Sequence, residues 1–148
     1  MIKIITVGKI KEKYFIDAIE EYKKRISKYS KLEIIELNDF NYDKEKTLLE
    51  EGKNILSKIT DKDFVITMEI EGKKIDSVEL SNFIDKNISR NITFIIGGSY
   101  GLSKEVKERS DFKLSFSDLT FPHQLFRIIL LEQIYRSFRI INNESYHK

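Results

Sequence analysis

The stretch Ile92-Thr93-Phe94-Ile95-Ile96-Gly97-Gly98-Ser99-Tyr100-Gly101-Leu102-Ser103 decides how the chain reads. Ile92 to Ile96 is a short, mostly apolar run of the kind that a parallel strand buried on both faces requires. It leads directly into three glycines within five positions, and a helix is expected from about Ser103 to Arg109. A strand that turns through glycines into a helix is the repeating unit of parallel α/β sheets.

The same alternation extends in both directions. Ile2 to Val7 reads as a buried strand ended by Gly8. Phe15, Ala18, Ile19, Tyr22, Ile26 and Tyr29 then recur at spacings of three and four, one face of an amphipathic helix. Leu32 to Leu37 is a second strand and Lys44 to Ile59 a charged helix. Phe64 to Ile70 is a third strand, followed by an expected turn at Glu71-Gly72-Lys73, and Asp76 can cap the helix carrying Val78, Leu80, Phe83 and Ile84. Phe112 to Phe116 is a fifth strand, and the last helix is expected from about Pro122 to Ile141. The expected fold class is α/β, a right-handed and mostly parallel sheet flanked by helices, within one domain spanning residues 1–148. The last helix is apolar around nearly its whole circumference, which calls for a second covering surface. A homodimer would supply it, with Ile128, Leu131, Tyr135 and Phe138 at the seam.

Composition narrows the chemistry. A chain of 148 residues, 41% hydrophobic and 34% charged, can bury a core and is no disordered segment. With no cysteine it has no disulfide, thiolate metal site or cysteine nucleophile, and with only His123 and His147 it has no histidine-rich metal site. The opening residues alternate apolar and charged too soon for a signal-peptide core, and charges interrupt Leu125 to Ile141 too often for a membrane span. A soluble, cytoplasmic protein without a membrane partner is expected. The net charge is only +2, yet residues 1–31 hold nine basic and four acidic residues. That segment reads either as a basic face for an anionic polymer or as an ordinary solvated helix face.

The glycine turn has three readings. Gly97-Gly98-Ser99-Tyr100-Gly101 partly resembles a dinucleotide fingerprint, but the spacing is incomplete and the turn follows the fourth strand rather than the first. It also fits the nucleophile-elbow pattern G-x-S-x-G, with Ser99, Asp118 and His123 in hydrolase order. An acid five residues from its histidine is poorly placed to hold the imidazole against Ser99. The third reading is a backbone wall for a small ligand at a strand's carboxyl end, where a side chain at Gly97 would fill the crevice.

A second constellation runs from Phe116 to Gln124 and on through Arg127, Glu132, Gln133, Tyr135 and Arg136. His123 with Arg127, and Glu132 with Arg136, each share a helix face at i, i+4. Charges in the most apolar helix need partners across a seam or in a ligand. The chain then runs Tyr146-His147-Lys148, readable as a frayed tail or as an aromatic ring, an imidazole and a cation available to a substrate.

The strings IIGGSYGLS (Ile95 to Ser103), LSFSDLTFPHQLFRIILLEQIYR (Leu114 to Arg136) and YHK (Tyr146 to Lys148) closely resemble the bacterial ribosomal RNA large-subunit methyltransferase H family. That family belongs to the SPOUT, or α/β-knot, methyltransferases, and the resemblance runs along the whole chain from VGKIKEKYF (Val7 to Phe15) onward. One departure is Ser145, where the family has proline or alanine before the tyrosine. The resemblance implies a C-terminal trefoil knot that binds S-adenosylmethionine in a bent form, without a metal. It implies a pocket of Met68, Gly97, Phe116, Ser117, Asp118, Leu119, Thr120 and Phe121. It further implies methyl transfer to N3 of a pseudouridine in 23S rRNA on assembled 70S ribosomes. Glu132, Arg136, Tyr146 and His147 are the candidates for orienting the base, stabilising its anion and managing the proton. Two other classes remain beside this one: a serine hydrolase built on Ser99, and a non-catalytic ribosome-binding factor that uses the basic face alone.

Overall fold

The computed structural model describes residues 1–148. Ten elements follow in strict alternation: β1 (Ile2–Val7), α1 (Lys13–Ile26), β2 (Leu32–Leu37), α2 (Lys44–Leu56), β3 (Phe64–Lys74), α3 (Ser77–Asn87), β4 (Ile92–Ile96), α4 (Lys104–Arg109), β5 (Phe112–Ser115) and α5 (His123–Ile141). The strands form one sheet in the order β2-β1-β4-β3-β5, and every pairing is parallel. β1 and β4 are the strands buried at every position. They lie inside the sheet with helices on both faces, which is why their sequences are mostly apolar; Lys3, Thr6 and Thr93 are the buried exceptions, with Lys3 paired to Asp63.

The two faces divide the core. Ile2, Ile4, Ile66, Phe94, Ile96 and Leu114 pack with α1, α3 and α5 on one side. Ile5, Val7, Val65 and Ile95 pack with Ile55 of α2 and Val106 of α4 on the other. Side chains of opposite parity along a strand reach opposite layers, so each central strand is stapled to both. Asp43, Asp76 and Ser103 cap α2, α3 and α4, each side chain accepting a backbone N–H three residues on.

Three expectations change. The turn expected at Glu71-Gly72-Lys73 does not form, because β3 continues to Lys74. Met68 and Lys73 both register against Leu114, so residues 69–72 bulge outward and the strand rejoins its neighbour. Gly72 permits this: a Cβ there would lie 2.8 Å from the backbone carbonyl of Lys113. Pro122 is the N-cap of α5 rather than its first residue. Finally, Leu131 and Phe138, expected at a dimer seam, are 0% and 3% exposed within the single chain. The core they share with α1, α3 and the sheet covers most of the apolar circumference of α5, leaving Leu125, Ile128, Ile129 and Tyr135 partly exposed. No helix is long and apolar enough to cross a membrane.

Candidate active site

The connections after β1 and β4 depart in opposite directions, β1 towards β2 and β4 towards β5 at the far edge. Neighbouring strands whose connections part leave a crevice above their carboxyl ends, the general ligand position in open α/β sheets. Here that crevice is a cavity of about 800 Å³. Its walls are Val7 to Lys9 and Lys11 after β1, Asn38 and Asp39 after β2, Met68 to Ile70 on β3, and the glycine turn after β4. The segment leaving β5 closes the far side, together with His123, Gln124 and Phe126 of α5.

Local chemistry shapes each wall. Gly101 takes φ +82°, and its N–H donates to the Gly98 carbonyl at 3.0 Å, closing the turn. A Cβ on Gly97 would lie 2.4 Å from the Gly101 carbonyl oxygen, so its missing side chain makes room for the turn itself. The expectation that a side chain there fills the crevice is therefore wrong in direction. Ser115 Oγ donates to the Ser117 carbonyl at 3.1 Å and Ser117 Oγ accepts from the Leu119 N–H at 3.0 Å, bending the segment after β5. The rings of Phe116 and Phe121 lie 5.3 and 6.2 Å from that of Phe126 and anchor the segment to α5.

Of the eight residues assigned to the pocket, Met68, Gly97, Phe116, Ser117, Leu119, Thr120 and Phe121 line the cavity. Asp118 does not. It is exposed and accepts from Lys74 Nζ, tying the loop to the bulged end of β3. The hydrolase constellation does not assemble, because no hydrogen bond joins His123 to Ser99 or to Asp118.

The sequence reading missed Lys9, Lys11, Asn38, Asp39 and Glu69, and it singled out His123 and Gln124 without placing them in the cofactor pocket. Gly8 marks the end of β1, but only the strand order places that end beside the glycine turn after β4. His123 Nε2 and Gln124 Oε1 are buried without hydrogen-bond partners. Burial, and then the Arg127 charge, hold His123 below the ordinary histidine range, which keeps its ring neutral. An unpaired ring nitrogen and an unpaired amide oxygen, both buried, are polar groups that a ligand can satisfy.

Glu132, Arg136, Tyr146 and His147 form a second cluster at the other end of α5. Arg136 Nε and Nη2 lie 2.9 and 2.7 Å from Glu132 Oε1. Its Nη1 lies 3.1 Å from His147 Nδ1, and the guanidinium sits 4.7 Å from the Tyr146 ring centroid. Glu132 Oε2 is buried and unpaired. The tail is docked rather than frayed. Asn143 turns it back at φ +55°, Arg139 donates to Glu144 and to the Ser145 carbonyl, and Tyr29 donates to Glu144 at 2.6 Å. Burial and then the Glu132 charge raise Tyr22 beside this cluster, keeping its phenol protonated. The cluster is not part of the cavity wall: nine residues of helix separate His123 from Glu132, about 14 Å at 1.5 Å per residue.

A crevice at the switch point of a three-layer parallel sheet, with a separate polar cluster on the last helix, defines an α/β protein with a small-molecule-sized cavity above the carboxyl ends of its strands. The chain belongs to the SPOUT methyltransferase family: the family model described as "Predicted SPOUT methyltransferase" matches residues 1–147. A protein of Methanococcus maripaludis is 60% identical over 157 aligned positions, covering 99% of each chain. Proteins of Clostridium beijerinckii and Carboxydothermus hydrogenoformans, 55% and 52% identical over 99% of each chain, are named ribosomal RNA large subunit methyltransferase H. Among solved structures, the tRNA (m1G37) methyltransferase of Aquifex aeolicus shares the fold, with a TM-score of 0.54 at 19% identity over 91% of this chain and 69% of that one.

Proposed function

We propose that the protein is a homodimeric, cytoplasmic methyltransferase that uses S-adenosylmethionine, without a metal, to methylate N3 of a pseudouridine in 23S rRNA of assembled 70S ribosomes. The reading takes residues 1–148 as one domain whose C-terminal part is threaded as a trefoil knot. The observation that carries it is the pairing of a cavity about 800 Å³ in volume with the cluster Glu132, Arg136, Tyr146 and His147. The cavity is within the roughly 300–1,000 Å³ range of small-molecule sites. Its orphaned polar atoms, His123 Nε2 and Gln124 Oε1, suit the amine and hydroxyl groups of a nucleoside with an amino-acid tail.

When bound, S-adenosylmethionine supplies an electrophilic methyl group on a sulfonium. Met68, Gly97, Phe116, Ser117, Leu119, Thr120 and Phe121 enclose the donor and exclude water, and Asp118 holds their loop through Lys74. The chain must also orient the base and accept the N3 proton, so that the nitrogen lone pair forms the new N–CH3 bond as the carbon–sulfur bond breaks. Tyr146 offers a ring for stacking on the flipped base. Arg136 offers positive charge to the anionic base, while Glu132 Oε2 and His147 offer proton acceptors. In one chain these groups stand too far along α5 from the cavity. A two-fold pairing through the exposed stripe of α5 brings one protomer's cluster to its partner's cavity.

Recognition of a single nucleotide by so small a protein leans on a preformed target, hence intact ribosomes rather than naked rRNA. The test is deletion of Tyr146 to Lys148. Calorimetry should find S-adenosylmethionine affinity unchanged, while methyl incorporation into 70S ribosomes falls to a few per cent or less. Normal incorporation by the truncated protein would refute the assignment of the cluster.

A further inference from the structure

The loop Gly8-Lys9-Ile10-Lys11-Glu12 between β1 and α1 is held from beneath by a buried arginine of α5 and a partly exposed carboxylate of β2. Arg127 of α5, 1% exposed, donates through Nη1 to Glu36 Oε2 on β2 and through Nη2 to the Gly8 carbonyl at 3.2 Å. The same Glu36 oxygen accepts from the Ile10 N–H at 3.0 Å. The Gly8 N–H donates to the Leu37 carbonyl at 2.7 Å. The main chain is therefore pinned immediately before and after Lys9, and Ile10 packs inward against the core.

Lys9 and Lys11 line the cavity, are exposed, and enter no hydrogen bond or ion pair. In the same basic N-terminal segment Lys3 pairs with Asp63, Lys13 with Asp17, Lys23 with Glu20 and Arg25 with Glu21. The unpaired Lys24, Lys28 and Lys31 lie away from the cavity, so Lys9 and Lys11 are the unpaired cations on its rim. Two carboxylates share the cavity wall, Asp39 and Glu69, and Glu69 is already engaged by Thr67 and Lys107. A buried arginine and a β2 carboxylate thus fix a loop whose two outward lysines have no internal partner.

We infer that Lys9 and Lys11 form an anion subsite at the mouth of the cavity, taking backbone phosphates of the RNA strand that presents its base. Arg127 and Glu36 act as positioning residues that hold the loop. A lone ligand carboxylate would call for one cation. Two compact ammonium groups on an exposed rim match the repeating charge of a polyanion. Contacts of this type set register and orientation while base discrimination stays with the cluster on α5. The inference rests on the proposed RNA methylation and names where the strand enters.

The experiment compares wild-type protein with the double variant Lys9→Gln/Lys11→Gln. S-adenosylmethionine affinity should be unchanged, and kcat on 70S ribosomes should stay within about twofold. KM for ribosomes should rise about tenfold at low salt. With a slope of about 0.7 per single-strand phosphate contact, two lost contacts predict that this disadvantage shrinks roughly sevenfold between about 50 and 200 mM salt. Lys9→Arg/Lys11→Arg should restore most of the KM, and Lys58→Gln/Lys62→Gln, at the opposite, amino-terminal end of the strands, should leave it unaltered. Weakened cofactor binding in the glutamine variant would assign the lysines to the methyl donor and overturn the inference, as would an unchanged ribosome KM. If wild-type protein transfers no methyl group to ribosomal RNA, the proposed function fails and this inference falls with it.

Discussion

Replacing Gly97 by alanine tests whether the glycine turn is glycine-rich for its own closure or for the ligand. The added methyl would lie 2.4 Å from the Gly101 carbonyl oxygen, 2.7 Å from its carbon and 2.9 Å from Leu102 Cδ2. Relaxed carbon–oxygen contacts begin near 3.3 Å, so the turn must open by about 0.9 Å. Two of the three neighbours are backbone atoms, which cannot rotate away. Opening by that much breaks the 3.0 Å bond from the Gly101 N–H to the Gly98 carbonyl, a loss of about 1 kcal/mol. Overpacking adds roughly 1–3 kcal/mol. A total near 3 kcal/mol corresponds to a fall of roughly 10 °C in Tm for a chain of this size. Gly101→Ala is the internal control. Its methyl would meet nothing within 4 Å, so its cost comes only from φ +82°, about 1–2 kcal/mol. Differential scanning calorimetry of both variants, with and without S-adenosylmethionine, separates the explanations. Gly97→Ala should be the less stable of the two and should bind the cofactor more weakly because the wall has moved. A Gly97→Ala protein with unaltered Tm and abolished binding would show that the glycine is there for the ligand, and the steric reasoning would be refuted.

Three further outcomes follow from the same geometry. Ser99→Ala should leave methyl transfer within about twofold of wild type, since Ser99 has no hydrogen bond to His123; abolished activity in a folded variant would revive the nucleophile. Glu36→Gln should destabilise by about 3 kcal/mol, because it strands a guanidinium that is 1% exposed, whereas Arg127→Met leaves only a partly exposed carboxylate and should cost about 1 kcal/mol; chemical denaturation giving the reverse order would contradict this. His123 titrates below its ordinary value near 6.5 when folded, so the unfolded chain takes up its proton first. Its contribution to stability is complete above about pH 7 and is lost as pH falls through the folded value, so His123→Gln should flatten that acid-side slope in urea unfolding, and an unchanged slope would count against the buried neutral ring.

The candidate site was legible where function is written into consecutive residues. The glycine turn and the segment from Phe116 to Phe121 each come from one stretch of chain, so reading them together recovered most of the far wall of the cavity. Lys9, Lys11, Asn38 and Asp39 were not legible, because they join the site only through strand order. Nothing in a local window places the end of β1 beside the end of β4. Two of the four expected seam residues were misread for a related reason. A helical wheel reports how much of α5 is apolar, but not that Leu131 and Phe138 are covered from within by the chain's own core.

The sequence by itself determined the alternation of strands and helices, the mostly apolar runs of β1 and β4, the Asp76 cap of α3, and the identity of the charged residues on α5. Those features depend on periodicities of two and 3.6 residues and on backbone chemistry that acts within a few positions. Only the tertiary structure decided that β3 continues past Gly72, that Asp118 faces Lys74 rather than the cavity, and that the tail folds back onto Arg136 and Arg139. Each of these depends on pairing energies between residues far apart in the chain. Lys74 and Asp118 are 44 positions apart, and Tyr29 and Glu144 are 115. Such partners are chosen by the packing of the whole sheet and its two helical layers, which no local pattern encodes.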